Sequence, residues 1–439
     1  MFFKRKPRPE DSAPDPERDP PPEDADESDA DDDEDLPPES DPGADLEWRD
    51  RAAIIPGGAS TGSKRTEALF GPEGIGPTHF IAASGCELTT AEGMQLIDCT
   101  MALGAVALGY AEPAVTDAIS RAAAHGHVAG LSHVREIRLA ERLCEVIPCA
   151  EAVRFLKTGA EGVAAAVRIA RTYTSRPHVI GSGYFGWLDW SSSGAGIPER
   201  AHADFTAVSF DDLQALERAA EAAGDRLAAI VLEPVVERMP SEEWIRGARA
   251  LCDRLGAVLV FDEMKTGFRL RTGGYQEYGG IEPDVAVFGK ALANGYPLSA
   301  VVGRADVMDA ARHTWISSTL ASEGVALAAA EAVIAWHERV EVCEALWEVG
   351  AEMRGGVRRA IEAAGVSGVE DAGLDPMWLL RFDDAGRETR FLELAVEHGV
   401  LFKRGAYNFA ALAHDDDALV AIEAAASQAL VALREETGR

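Results

Sequence analysis

Two residues in this chain have surroundings that call for a partner. Asp262 follows Ala257-Val258-Leu259-Val260-Phe261, and Lys290 lies between Val285-Ala286-Val287-Phe288-Gly289 and Ala291-Leu292-Ala293. A carboxylate in apolar surroundings is costly unless a cation meets it. The protonated ring nitrogen of a cofactor would serve, and so would an ion pair with Arg269. A lysine flanked in this way is desolvated, which lowers its pKa and makes the amine nucleophilic, unless it belongs to a buried structural pair. Thr158-Gly159-Ala160-Glu161-Gly162 sets small residues at the start of a helical stretch, where backbone N–H groups and the helix dipole receive an anion such as phosphate. A plain strand-to-helix turn uses the same letters. Tyr184-Phe185-Gly186-Trp187 offers aromatic faces on a Gly-rich loop, suited to stacking on a planar ring, to core packing or to a lid.

The elements that carry these residues read as an α/β fold with a mostly parallel sheet. Short apolar runs at Ala152–Leu156, His178–Ile180, Leu227–Leu232, Ala257–Phe261, Val285–Phe288 and Ala300–Val302 suit a sheet covered on both faces. Between and around them lie helical periodicities at Ala114–Ala124, Glu136–Val146, Gly162–Tyr173, Leu213–Ala223, Trp244–Leu255, Val325–Trp336, Val340–Ala364 and Ala418–Leu433. Ligands of open parallel sheets bind beyond the carboxyl ends of the strands. Each candidate follows a run: Thr158 the first, Tyr184 the second, Glu233 the third, Asp262 the fourth and Lys290 the fifth. An amine, a carboxylate, a flat contact and a helix N-terminus together describe one ligand, a phosphorylated pyridine aldehyde. The expected cofactor is pyridoxal 5'-phosphate.

Composition narrows the partners. The 439 residues carry 74 acids and 42 bases, a net charge of −32, and residues 1–50 hold 20 of the acids, 6 of the bases and 10 of the 22 prolines. Such a segment offers too little apolar surface to offset its ordering entropy, so residues 1–46 are expected to form a disordered acidic, Pro-rich tail. The body beyond residue 50 is still acidic and lacks the clustered Lys/Arg that nucleic acid or anionic lipid requires. Lys4, Arg5, Lys6 and Arg8 form the one basic cluster, read as a solvated terminus in preference to a localisation patch. No apolar run reaches a membrane span, and the six scattered cysteines have no metal-site or disulfide spacing, which fits a cytoplasmic enzyme without metal.

Phe261-Asp262-Glu263-Met264-Lys265-Thr266-Gly267-Phe268-Arg269 followed by Gly289-Lys290-Ala291-Leu292-Ala293-Asn294-Gly295-Tyr296-Pro297 resembles the signature of class III (ω-type) pyridoxal phosphate-dependent aminotransferases of fold type I. The likeness runs from Pro56-Gly57-Gly58 to Arg404-Gly405-Ala406-Tyr407-Asn408-Phe409 and is strongest to the branch of glutamate-1-semialdehyde aminomutase and its aminotransferase look-alikes. The resemblance implies that Lys290 forms the internal aldimine and shuttles the proton, and that Asp262 holds the pyridinium proton. It places Tyr184 and Met264 on the ring faces, Phe185 beside them where relatives have His, and Glu233 in the network around the ring hydroxyl. Thr158, Gly159 and Ala160 would bind the phosphate, with Ser318 and Thr319 reaching it from the other subunit of a homodimer. Lys64, Arg65 and Arg404 are the substrate-binding candidates by position.

Departures bear on the reaction. Lys157-Thr158-Gly159-Ala160-Glu161-Gly162 replaces the usual Asn-Ser-Gly-Thr-Glu-Ala, Glu323-Gly324 replaces Asn-Pro, and the aminomutase's substrate Arg and C-terminal Glu are missing, with Ala406 near the latter position. The expectation is therefore an aminotransferase that moves an amino group from a small-molecule donor to a keto or aldehyde acceptor, a sugar or secondary metabolite among the possibilities. An aminomutase, a racemase or other isomerase, and a non-catalytic binding protein on the same fold are the alternatives. The resemblance implies a large cofactor domain of residues 105–335 and a small domain of residues 336–439 joined by residues 47–104.

Overall fold

The computed structural model describes Trp48 and residues 51–438. The expected tail of residues 1–46 lies outside the described residues. After an irregular start, strands β1 (Phe80–Ser84), β2 (Glu87–Thr90) and β3 (Gln95–Asp98) form an antiparallel meander. The central sheet follows, built from β4 (Ala152–Leu156), β5 (His178–Ser182), β6 (Phe205–Ala207), β7 (Leu227–Leu232), β8 (Val258–Asp262), β9 (Val285–Phe288) and β10 (Ser299–Gly303). Its spatial order is β4-β10-β9-β8-β7-β5-β6. Neighbours from β9 to β6 are parallel, whereas β10 runs antiparallel to both β9 and β4, so the Ala300–Val302 run departs from the parallel expectation.

Burial explains why the strand runs are apolar without alternation. Val258, Val260, Val285 and Val287 point into one core, shared with Val163, Ala166, Val167 and Ala170 of the helix Gly159–Thr174. Leu259, Phe261, Ala286 and Phe288 point into the other, shared with Trp244, Ile245, Ala248 and Leu251 of the helix Glu242–Leu255. The helical sets recur at three- and four-residue intervals, which places each on one face. Each such Val, Leu or Phe side chain stabilises the sheet by roughly 1.5–3 kcal/mol, and a polar residue within these strands would face an apolar layer on either side. Polar chemistry is therefore confined to the strand ends.

The C-terminal part contributes β11 (Val369–Leu374), β12 (Met377–Phe382), β13 (Val400–Leu401) and β14 (Asn408–Phe409). β13 pairs in parallel with β3, Val400 opposite Ile97, and Phe70, Leu96 and Cys99 share a core with Trp378, Phe391 and Phe402. Among the described residues, no helix is long and apolar enough to cross a membrane.

Candidate active site

β8 and β9 lie side by side with Asp262 opposite Val287, so the residues leaving both strands emerge together. Asp262 is the last residue of β8 and only 5% exposed; the Met264 N–H donates to its Oδ1 at 3.0 Å. Burial pushes its carboxyl above the usual carboxylate range, Glu233 adds to this, and Lys290 opposes it. Arg269, the alternative partner, is not paired with it. The guanidinium donates to the carbonyls of Pro376, Ala410, Gly104 and Val106 at 2.7–3.3 Å and lies 4.9 Å from the Phe409 ring centre. The adjacent Glu263 is a structural carboxylate, accepting from Thr266 Oγ1 and from the N–H groups of Tyr275 and Gln276.

Lys290 begins a short helical turn after β9 with φ +51°, a left-handed conformation that side chains of its kind rarely adopt. The turn is held by Asn294, whose Oδ1 accepts from Ala107 and Leu108 N–H at 3.0 and 3.1 Å and whose Nδ2 donates to Gly109 O at 2.9 Å. Among the described residues no hydrogen bond or ion pair holds Lys290 Nζ. Burial, followed by the nearby Lys265, pushes its ammonium below the ordinary lysine value, against Asp262 and Glu233.

Facing this pair is the N-terminus of the helix Gly159–Thr174. Thr158 caps it: its Oγ1 accepts from Glu161 N–H at 3.2 Å while Glu161 Oε2 accepts from Thr158 N–H at 3.1 Å. The N–H groups of Gly159 and Ala160 are left without acceptors among the described residues, which suits an anion. Close approach around them requires glycine. A Cβ on Gly159 would lie 2.8 Å from Met264 Cε, one on Gly289 2.5 Å from the same atom, and one on Gly186 2.4 Å from Ala160 Cβ. Glu233, just past β7, accepts from Tyr184 N–H at 3.2 Å, and Gly183 at φ +134° fits against it. A free amine, a buried carboxylate, open amide donors and an apolar contact at Met264 thus match the donor set of a phosphorylated, planar aldehyde.

The profile described as Aminotransferase class-III matches residues 75–414. The chain belongs to the class-III aminotransferases. These are pyridoxal phosphate-dependent enzymes of fold type I, and the fold seen here is theirs. Over 345 residues this class-III member is 34% identical to the glutamate-1-semialdehyde 2,1-aminomutase of Syntrophobacter fumaroxidans, covering 74% of this chain and 79% of the relative. It is 30% identical to the 3-aminobutyryl-CoA aminotransferase of Cloacimonas acidaminovorans over 381 residues, 83% of this chain and 91% of the relative. The internal aldimine form of the Sphingopyxis sp. MTA144 FumI protein superposes with a TM-score of 0.86 at 26% identity, over 90% of this chain and 98% of that one.

In this aminotransferase-family site the structure brings together Asp262, Lys290, Thr158, Gly159, Ala160, Met264, Glu233 and the backbone of Tyr184. The Tyr184 side chain is 72% exposed. Phe185 is a correction: its ring turns into the core against Trp190 and Phe205, at centroid distances of 5.9 and 6.4 Å, because Gly181 beneath it leaves room for a ring there. Ser318 and Thr319 line a cavity of about 470 Å³ bounded by His125, His127, His133 and Glu323. The substrate candidates each meet a partner or cavity of their own. Arg404 Nε faces Glu388 Oε2 at 3.7 Å, Arg65 Nε donates to Ala59 O at 3.5 Å, and Lys64 lines a cavity with Asp98 and Tyr110. Sequence reasoning missed Lys265, which pairs with Glu233 at the same strand ends, and Tyr407, whose hydroxyl accepts from Lys265. The signal was a charged residue inside an otherwise buried segment.

Proposed function

We propose that this class-III enzyme is an aminotransferase with a ping-pong cycle, in which an amino donor leaves its nitrogen on the cofactor and a keto or aldehyde acceptor collects it. The observation that carries the reading is the unpaired, half-buried Lys290 amine beside buried Asp262 at the ends of β8 and β9, before an open helix N-terminus. Pyridoxal phosphate supplies an aldehyde that condenses with amines and a ring that accepts the electron pair left when the substrate loses a proton. Lys290 Nζ would hold the cofactor through its aldehyde carbon and, when free, would take up and return the substrate's Cα proton. Asp262 would keep a proton on the ring nitrogen and the Gly159 and Ala160 N–H groups would bind the phosphate, while Glu233 orders the Tyr184 loop. Met264 and Tyr184 would hold the ring between them.

The same proposal includes a homodimer in which Ser318 and Thr319 complete the partner's phosphate site. It is supported by apolar side chains bared on that side of the chain, Leu131 at 86% and Trp315 at 82% exposed. Six free cysteines, five of them buried, support a cytoplasmic setting.

An aminomutase is the second reading, favoured by the names of relatives such as that from Syntrophobacter fumaroxidans. Ala406, and an Arg404 that pairs with Glu388, weigh against it. A panel of donors and acceptors, followed by the visible absorbance of the bound cofactor, separates the two. Net exchange between two different substrates marks the transferase, and isomerisation of one substrate without exchange marks the mutase. Lys290→Ala is expected to abolish the yellow absorbance; a variant that stays yellow overturns the assignment of Lys290.

A further inference from the structure

Two half-buried lysines share one strand end in this protein. Lys265 is three residues past Asp262, and Lys290 is three residues past Val287, the residue paired with Asp262 across the sheet. The two exits stay in contact: Glu263 N–H donates to Val287 O at 2.9 Å, and Met264 occupies the space over Gly289. Their partners differ. Lys265 Nζ lies 2.5 Å from Glu233 Oε1, donates to Tyr407 Oη at 3.4 Å and sits 4.5 Å from the centre of the Tyr407 ring. Tyr407 is fixed in turn by the Glu237 N–H, which donates to its Oη at 2.7 Å.

An ammonium held by a carboxylate and an aromatic ring keeps its proton, and a like charge beside it in a low-dielectric pocket is disfavoured. We propose that Lys265 is a positioning residue for Lys290, a fixed cation clamped by Glu233 and Tyr407 that opposes a second positive charge on the neighbouring amine and so keeps it reactive. The inference rests on the reading of Lys290 as the lysine that carries the cofactor.

The groups facing Lys290 are Lys265 and Asp262 from the β8 exit, Glu233 from the β7 exit, and the Arg269 guanidinium; those facing Lys265 are Glu233, Tyr407, Asp262 and Lys290 itself. Burial lowers Lys265, but Glu233 and Tyr407 more than offset it and hold this ammonium above the ordinary lysine value. Burial and then Lys265 push Lys290 the other way. Only an uncharged amine attacks a carbonyl or accepts a proton, so the arrangement assigns one lysine to charge and the other to chemistry.

The test is a pH titration of the visible absorbance of the holoenzyme's bound cofactor, in the wild type and in Lys265→Met, Lys265→Arg and Glu233→Gln. Removing the cation is expected to raise the spectral midpoint by about one pH unit, and removing the carboxylate, which leaves Lys265 unbalanced, to lower it by a similar amount. Lys265→Arg, which keeps the charge, should restore the wild-type midpoint. Opposite shifts with rescue by arginine support the proposal. Midpoints that do not move, or that move in the same direction, overturn it, since a merely structural ion pair would disturb both variants alike. If Lys265→Met does not fold, the downward shift in Glu233→Gln and the arginine midpoint decide. Retained colour in Lys290→Ala is a separate failure, that of the underlying reading.

Discussion

Asp262 and Glu263 are consecutive carboxylates, both buried, yet only one is free for chemistry. Glu263 is saturated by a hydroxyl and two backbone N–H groups, and burial still pushes its carboxyl up to about 7. Asp262 receives one backbone N–H and otherwise faces the lysine pair. A protonated ring nitrogen would compensate a carboxylate in that position, and that proton would make the ring an electron sink. Asp262→Asn cannot hold it. The expected outcome is a protein that still takes up cofactor through the Gly159–Ala160 amides, with a half-reaction at least ~10²-fold slower, measured by stopped-flow absorbance under single-turnover conditions. An unchanged rate would remove Asp262 from the chemistry.

The helix Gly159–Thr174 starts three residues earlier than hydrophobic periodicity predicts, because Gly159-Ala160-Glu161 carries no apolar signal and the capping box at Thr158 and Glu161 starts the helix instead. A second helix start depends on a departure from the family pattern. Glu323 caps Gly324–Arg339 by accepting from Val325 and Ala326 N–H at 2.7 and 2.9 Å, and its Oε1 pairs with Lys157 at 2.7 Å. Lys157 precedes Thr158, so this ion pair ties the phosphate-side turn to the Ser318–Glu323 segment. Burial raises the Glu323 carboxyl, but Lys157 and the two amides outweigh it and hold it below its ordinary value. A carboxylate depressed in the folded state stabilises above its unfolded pKa, and the effect is lost as pH falls through the folded one. Glu323→Gln should therefore cost about 1 kcal/mol at pH 7 in urea denaturation. The difference from wild type should shrink in acid; a gap that persists there would show that charge is not the cause.

At the scale of the whole molecule, one chain leaves two features incomplete: the Tyr184 ring is exposed, and Leu131 and Trp315 are bare beside Ser318 and Thr319. Exposed apolar surface of this kind marks an interface. If the site is shared, breaking the dimer must weaken the cofactor's phosphate contacts. Leu131→Glu is expected to shift the protein toward monomer in analytical ultracentrifugation and to lower cofactor affinity at least tenfold in equilibrium dialysis. A monomeric variant with undiminished affinity would mean that each chain binds its cofactor unaided.

The sequence by itself determined the layered fold and the two central residues. Short, mostly apolar runs between helical stretches suit strands covered on both faces, and charged residues just past such strands sit at their ends, so Asp262 and Lys290 were legible from chain-local chemistry. What each residue meets across the fold is a long-range fact that no local pattern encodes. Arg269, placed by spacing alone as a partner for Asp262, is drawn instead to four carbonyls from three distant segments. Arg404 has Glu388 near it, and Phe185 occupies the gap above Gly181. The meeting of Lys265 with Glu233 and Tyr407 joins residues 32 and 142 positions apart along the chain. Tertiary structure decided these pairings, because a buried polar group takes whichever partner the packing of separate elements brings within hydrogen-bond reach.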